Sequence, residues 1–159
     1  MSDPVVDPGV DPDEVARRST EAMWAEDAAS AMLGMEVSAY GPGTATVAMT
    51  VRPDMVNGWG TCHGGLIATL ADSAFAVACN SRGTVTVGAG FDITILEPAH
   101  AGDRLEARAE ERALHGRSGV YDVSVTRSDP DGASEPVVVA EFRGRSRSLG
   151  RPITGLDRA

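Results

Sequence analysis

The chain is short of aromatic residues, cysteine, histidine and positive charge. Aromatics make up 4% of its 159 residues, so Val, Ile, Leu and Ala must fill any core. Two cysteines, Cys62 and Cys79, do not make a disulfide framework. His63, His100 and His115 lack metal-ligand spacing, so no metal and no other cofactor is expected. Without a Gly-x-Ser-x-Gly elbow or a phosphate-binding glycine loop, the serine-hydrolase and P-loop routes are excluded. No apolar run approaches the ~18 residues of a membrane span, and the Pro- and Asp-rich start lacks the regions of a signal peptide. The expected setting is the reducing cytoplasm. Fourteen basic residues face 23 acidic ones, a net charge of -9, which makes nucleic acid and membrane poor partners.

What is present is the balance of one globular domain, 42% hydrophobic and 23% charged. Residues 1–12 are expected to be a disordered acidic tail, 13–150 the domain, and 151–159 a C-terminal tail. From Asp13 to Leu33 the apolar spacing predicts a helix, with Gly34 as its cap. Met35–Tyr40 and Thr44–Val51 alternate around Gly41-Pro42-Gly43, a hairpin pattern. Leu66–Asn80 is apolar on most sides, as a buried helix should be. Four strands follow, Thr84–Leu96, Arg104–Leu114, Val120–Arg127 and Val137–Ser148, with turn signals at 115–119 and at Asp129-Pro130-Asp131-Gly132. This order predicts an α+β fold, one long helix wrapped by a curved antiparallel sheet, plus an N-terminal helix. The late turns suggest a meander.

The chemistry concentrates in Asn57-Gly58-Trp59-Gly60-Thr61-Cys62-His63-Gly64-Gly65 and the helix after it. His63-Gly64-Gly65 stands where that helix begins. Its first N–H groups lack internal partners and carry the positive end of the dipole, so they could hold an anion or a polarised carbonyl oxygen. Two glycines could equally serve only to turn the chain. Asp72 lies mid-helix among apolar residues, where a carboxylate is costly unless solvated, paired or functional. A wet stripe beside Thr69 and Ser73 is the plain alternative. Asp72 follows Gly65 by seven residues, two turns and about 10 Å along one axis. It is poorly placed to act on a carbonyl held at Gly65 of its own helix. An antiparallel helix from a two-fold mate would bring the two together, so each site would be built from both subunits. Cys62 beside His63 is discounted as a nucleophile, because sequence neighbours often point apart and no orienting acid is evident.

These motifs also resemble a known family. Asn57-Gly58, Cys62-His63-Gly64-Gly65, the Leu70–Ala76 stretch and Ala78-Cys79-Asn80-Ser81-Arg82-Gly83 are similar to the hotdog-fold thioesterases of phenylacetate degradation, the PaaI type. The likeness continues through Ala101–Leu105, Gly119–Val123 and Phe142–Ser146, covering about residues 20–150. It implies a hotdog fold, homodimers paired into a dimer of dimers, and hydrolysis of phenylacetyl-CoA or hydroxyphenylacetyl-CoA. By motif position, Asp72 would be general base or nucleophile. The Gly65 N–H would polarise the carbonyl, His63 would orient it or the glycine loop, and Asn57 would position water or substrate. Gly64, Phe75, Trp59, Met55, Gly88, Ala89 and Gly90 are candidate pocket residues. Arg117, Arg143, Arg145 and Arg147 are candidates for the CoA phosphates, with a solvated strand edge as the alternative. Related thioesterases often hold water with a Ser or Thr on the strand after the helix; Gly88, Ala89 and Gly90 stand there instead. Two rival classes are a non-catalytic acyl-CoA-binding module and a hotdog dehydratase.

Overall fold

A computed structural model of the protein describes residues 9–128, 135–153 and 156. The turn expected at 129–132 and most of the acidic tail therefore lie outside the described residues. Three α-helices and six strands are present among them, with one 3-10 turn at Pro53–Met55: α1 (Pro12–Trp24), α2 (Ala28–Met32), β1 (Glu36–Gly41), β2 (Thr44–Thr50), α3 (Gly64–Asn80), β3 (Thr84–Ile95), β4 (Arg104–His115), β5 (Ser118–Ser128) and β6 (Val137–Pro152).

The fold is built on α3. Its Ile67, Leu70, Ala71, Ala74, Phe75, Val77 and Ala78 are at most 1% exposed. Completely burying a residue the size of Leu70 contributes roughly 1.5–3 kcal/mol, and this helix does so on several sides at once. It packs on β2, β3, β4, β5 and β6, whose inner faces alternate as strands must: Leu105, Ala107 and Ala109, then Tyr121, Val123 and Val125, then Ala140, Phe142 and Gly144. The result is the α+β hotdog arrangement, one antiparallel sheet curved around a central helix.

The strand order is β1-β2-β4-β5-β6-β3, which departs from the expected meander. Of the four late strands, only β4-β5-β6 follow one another. Residues 96–103 after β3 are too long for a tight hairpin, and the chain pins them elsewhere: Cys62 donates its N–H to the carbonyl of buried Ala99 at 2.7 Å. β3 therefore pairs with the far side of β6 and becomes an edge strand. The β4–β5 turn matches expectation, with Gly116 at φ 57 and Arg117 in the ordinary region, the pattern of a type II′ hairpin.

The single helix expected over 13–33 is two helices. Asp27 interrupts it: its Oδ1 accepts the Ser30 N–H at 2.9 Å and so caps a fresh helix, α2. Gly34 ends α2 at φ 67, as a left-handed terminator should. The Ser30 and Ser73 hydroxyls meet at 3.2 Å and tie α2 to α3. Asp11 and Pro12, placed in the tail by expectation, belong to the start of α1: Asp11 caps it and Pro12 opens it. At the other end β6 runs on to Pro152, and Ile153 and Leu156 are buried.

Candidate active site

A cleft of about 700 Å³ opens between α3 and β3. From α3 it takes Asp72, Phe75, Ala76, Cys79 and Asn80, the i, i+3, i+4, i+7, i+8 set of one helix face. β3 contributes the run from Val85 to Phe91, and α1 contributes Met23. Asn80 holds the two walls together. Its Nδ2 donates to the carbonyls of Ala76 and Thr86 at 2.9 and 2.8 Å, and its Oδ1 accepts the Thr86 N–H at 2.9 Å. The β3 wall is thin because Gly88 and Gly90 carry no side chain. The β3–β6 register slips between them, so a bulge lies beside the cleft, with Gly90 at φ 150.

Asp72 is half-buried, and no described residue donates a hydrogen bond to its carboxylate. Burial pushes its pKa above the ordinary 3.8. Cys79, on the same face, is driven up to about 12, first by burial and then by the Asp72 charge, so it stays a thiol. Cys62 is also pushed up by burial, in line with its dismissal as a nucleophile. Asp72 is thus the uncommitted charged group of the cleft. Ser73 and Asn80 have partners, and the Thr86 hydroxyl donates to the Thr84 carbonyl at 2.9 Å.

The other end of α3 has a different character. His63 caps the helix, and its backbone carbonyl takes the N–H groups of Leu66 and Ile67. The Gly65 N–H reaches the His63 Nδ1 at 3.5 Å, a long bond that a better acceptor can displace. His63 and Gly65 are both exposed. Asn57 organises the loop before them. Its Oδ1 accepts the N–H groups of Trp59 (2.9 Å) and Thr61 (3.3 Å), while its Nδ2 donates to Thr61 Oγ1 at 3.0 Å.

Of the expected site residues, one chain gathers Asp72, Phe75, Gly88, Ala89 and Gly90 in one place. It leaves Asn57, His63, Gly64 and Gly65 at the opposite end of α3, outside that cleft. Trp59 does not line the cleft of its own chain: it stands at the tip of the Asn57 turn, 92% exposed. Met55 is a core residue at 2% exposure. Arg143, Arg145 and Arg147 do share one face, but it is the outer one, since Phe142, Gly144 and Ser146 alternate inward. Arg143 forks onto Asp122 at 2.7 and 2.9 Å, and Arg145 meets Asp92 at 2.6 Å. Arg147 reaches the Ser118 hydroxyl, and Arg117 the Ser148 carbonyl. Sequence reasoning missed Ala76, Cys79 and Asn80, although helical spacing from Asp72 reaches all three. Met23 has no such signal, because it comes from another helix.

Comparison with known proteins agrees with this architecture. A family model described as the thioesterase superfamily matches residues 59–134. The chain is 40% identical to the acyl-coenzyme A thioesterase PaaI of Escherichia coli over 140 residues, 88% of this chain and 96% of that one. The solved structure of E. coli PaaI superposes with a TM-score of 0.84 at 38% identity, covering 91% of this chain and all of that one. A structure of a mutant form of the phenylacetic acid degradation protein PaaI from Thermus thermophilus gives a TM-score of 0.71 at 40% identity, over 77% of this chain and 100% of that one. The chain therefore belongs to the thioesterase superfamily with the hotdog fold. Within it, the chain is of the PaaI type, an acyl-CoA thioesterase and so a thioester hydrolase rather than a dehydratase or a non-catalytic binding module.

Proposed function

We propose that the enzyme hydrolyses phenylacetyl-CoA or its ring-hydroxylated relatives, in sites each built from two subunits. The observation that carries this reading is the separation within α3. An uncommitted acid lies in the cleft, and open helix amides lie at the far end of the same helix. A two-fold mate on the β3 edge completes both sites. That edge has unpaired backbone and exposes Val87, Phe91 and Ile95 at 43–45%, an unusual apolar load for a free edge. Pairs of such dimers would form a dimer of dimers.

In this arrangement the thioester carbonyl rests on the partner's helix end. The Gly65 N–H leaves His63 and donates to the oxygen as it gains charge, and the helix dipole adds to the effect. Asp72 attacks the carbonyl carbon, or takes a proton from the water that does. Its raised pKa suits it to accept a proton. The C–S bond breaks and CoA departs as thiolate; where Asp72 attacked, water then cleaves the acyl–Asp72 anhydride, and in either route the acid is released and the proton taken from water passes to the thiolate or to solvent. His63 and Asn57 act through the loop, holding Gly64 and Gly65 in the first turn. The acyl group lies between Phe75 and the thin wall at Gly88, Ala89 and Gly90, and Trp59 reaches across to the neighbouring subunit. An aromatic acyl group fits a cleft bordered by Phe75 and Phe91, and the E. coli PaaI structure is described as coming from the phenylacetic acid degradation operon. Two free buried cysteines fit a cytoplasmic setting.

Free-thiol release from phenylacetyl-CoA tests the substrate; loss of release in Asp72→Asn tests the acid. Mixing inactive Asp72→Asn with inactive Gly65→Pro tests the shared site. Random pairing puts one intact site in half the dimers, so activity should recover to roughly a quarter. No recovery, with subunit exchange demonstrated, would falsify the shared site.

A further inference from the structure

Gly144 lies on the inner face of β6, opposite Tyr121 of β5 on one side and Phe91 of β3 on the other. It is the gap in a row that is otherwise aromatic across three strands. The ring of Phe75, carried by α3, lies over this gap. It makes an edge contact with Tyr121 (centroids 5.4 Å apart, planes at 61°) and a tilted one with Phe142 at 5.8 Å. Phe142 is itself stacked on Phe91 at 4.8 Å. A Cβ on Gly144 would lie 2.9 Å from both Cδ2 and Cε2 of Phe75 and 3.0 Å from Phe142. A Cβ on Gly88 would lie 3.4 Å from Phe75 Cε1, an ordinary contact. The ring is therefore seated against a glycine that leaves no space for even one methyl group.

The seat matters because Phe75 also borders the cleft beside Asp72. Tyr121 and Phe142, 1% and 2% exposed, block sideways movement, and the strand backbone lies behind. Close-packed interiors relieve overlap toward empty volume, and here the empty volume is the cleft. We propose that Gly144, which does not line the cleft, sets its depth by letting the Phe75 ring sink into the sheet, and so admits an acyl group ending in a flat ring. This rests on the reading that the acyl group lies beside Asp72.

The test uses the full-length enzyme with phenylacetyl-CoA and acetyl-CoA, measuring kcat, KM and thermal midpoint for wild type and Gly144→Ala. The added methyl should lower the phenylacetyl-to-acetyl ratio of kcat/KM by about tenfold or more, the size expected for intrusion by a methyl-sized group. A merely structural role would lower both esters together, and that result overturns the proposal, as does an unchanged ratio. A Phe75→Val background removes the ring that the methyl would push. There, Gly144→Ala should alter the ratio by no more than about twofold; a drop as large as with Phe75 present overturns the proposal. If Gly144→Ala alone does not fold, the pair Phe75→Val and Phe75→Val/Gly144→Ala is read by the same criterion. A wild type that releases no thiol from phenylacetyl-CoA overturns both this inference and the substrate reading. Turnover with a ratio insensitive to Gly144 overturns this inference alone.

Discussion

The two ends of α3 are built on opposite plans. At its start the backbone is bare: two glycines, an exposed histidine cap and a loop folded on the Asn57 carboxamide. One long bond, from the Gly65 N–H to the His63 ring, closes it. In its second half the side chains are dense, with Phe75, Ala78 and Cys79 buried and Asp72 half-buried among them. The first end offers N–H donors without a substrate pocket, and the second a pocket with an acid. A helix cannot bend its middle back to its own start. The proposed shared site would join them through a second copy whose helix runs the other way.

Removing the acid attacks the dense half, and Asp72→Asn should have the largest effect. A positioned proton acceptor contributes about 10²–10⁴-fold, so kcat should fall by that much while the fold persists. Retention of more than a tenth of kcat would remove Asp72 from the chemistry. Gly65→Pro attacks the bare end. Proline is tolerated in a helix's first turn, where its missing N–H breaks no internal bond. Loss of one oxyanion donor costs about 10²–10³-fold in kcat, with KM changing less. A larger rise in KM than fall in kcat would mean that this end binds substrate without polarising it.

The same Asp72→Asn change should stabilise the protein. A carboxyl whose folded pKa lies above its unfolded one, here above 3.8, binds its proton more tightly when folded. Stability therefore falls as pH rises from 3.8 through the raised value, and the full penalty is present at neutral pH. The neutral amide carries no such penalty. Melting at pH 7 should show Asp72→Asn a few degrees above wild type, and the gap should close toward pH 4. An equal gap at both values would assign the effect to packing and not to charge. The pH dependence of kcat should match, with activity lost on the acid side as Asp72 protonates.

Much of this contrast was legible in the sequence, because it depends on local pattern. An apolar run interrupted only at Thr69, Asp72 and Ser73 before Asn80 marks α3 as a mostly buried helix, and Asp72 is conspicuous within it. His63-Gly64-Gly65 marks a helix start by spacing alone. What stayed hidden depends on distant partners. The edge position of β3 follows from the Cys62–Ala99 bond, which joins residues 37 apart. The second helix boundary depends on one capping bond accepted by Asp27, and the burial of Ile153 after β6 on its N–H bond to the Gly83 carbonyl. Trp59 looks like a pocket wall by type, yet the Asn57 turn carries it to the surface. The Phe75–Gly144 contact joins α3 to the last strand, and no local spacing reports it.

The smallest expected effect concerns the outer face, which neither end of α3 touches directly. Four arginines were candidates for the CoA phosphates, and their partners divide them. Arg143 is neutralised by Asp122, whose pKa it holds below the ordinary range, and Arg145 by Asp92. Arg117 and Arg147 flank the β4–β5 turn and have no carboxylate partner among the described residues. An anion gains more from an uncompensated charge, so these two should serve the nucleotide. Exposed charges contribute about 1 kcal/mol or less each, so Arg117→Ala/Arg147→Ala should raise KM by a few-fold to roughly thirtyfold at most and leave kcat unchanged. Added salt should shrink the difference from wild type, since these groups are open to screening. Arg143→Ala is the matched comparison, because it removes a charge already balanced by Asp122. A KM rise in that variant equal to the double variant's would mean that summed surface charge, and not the place beside the turn, attracts the CoA ester.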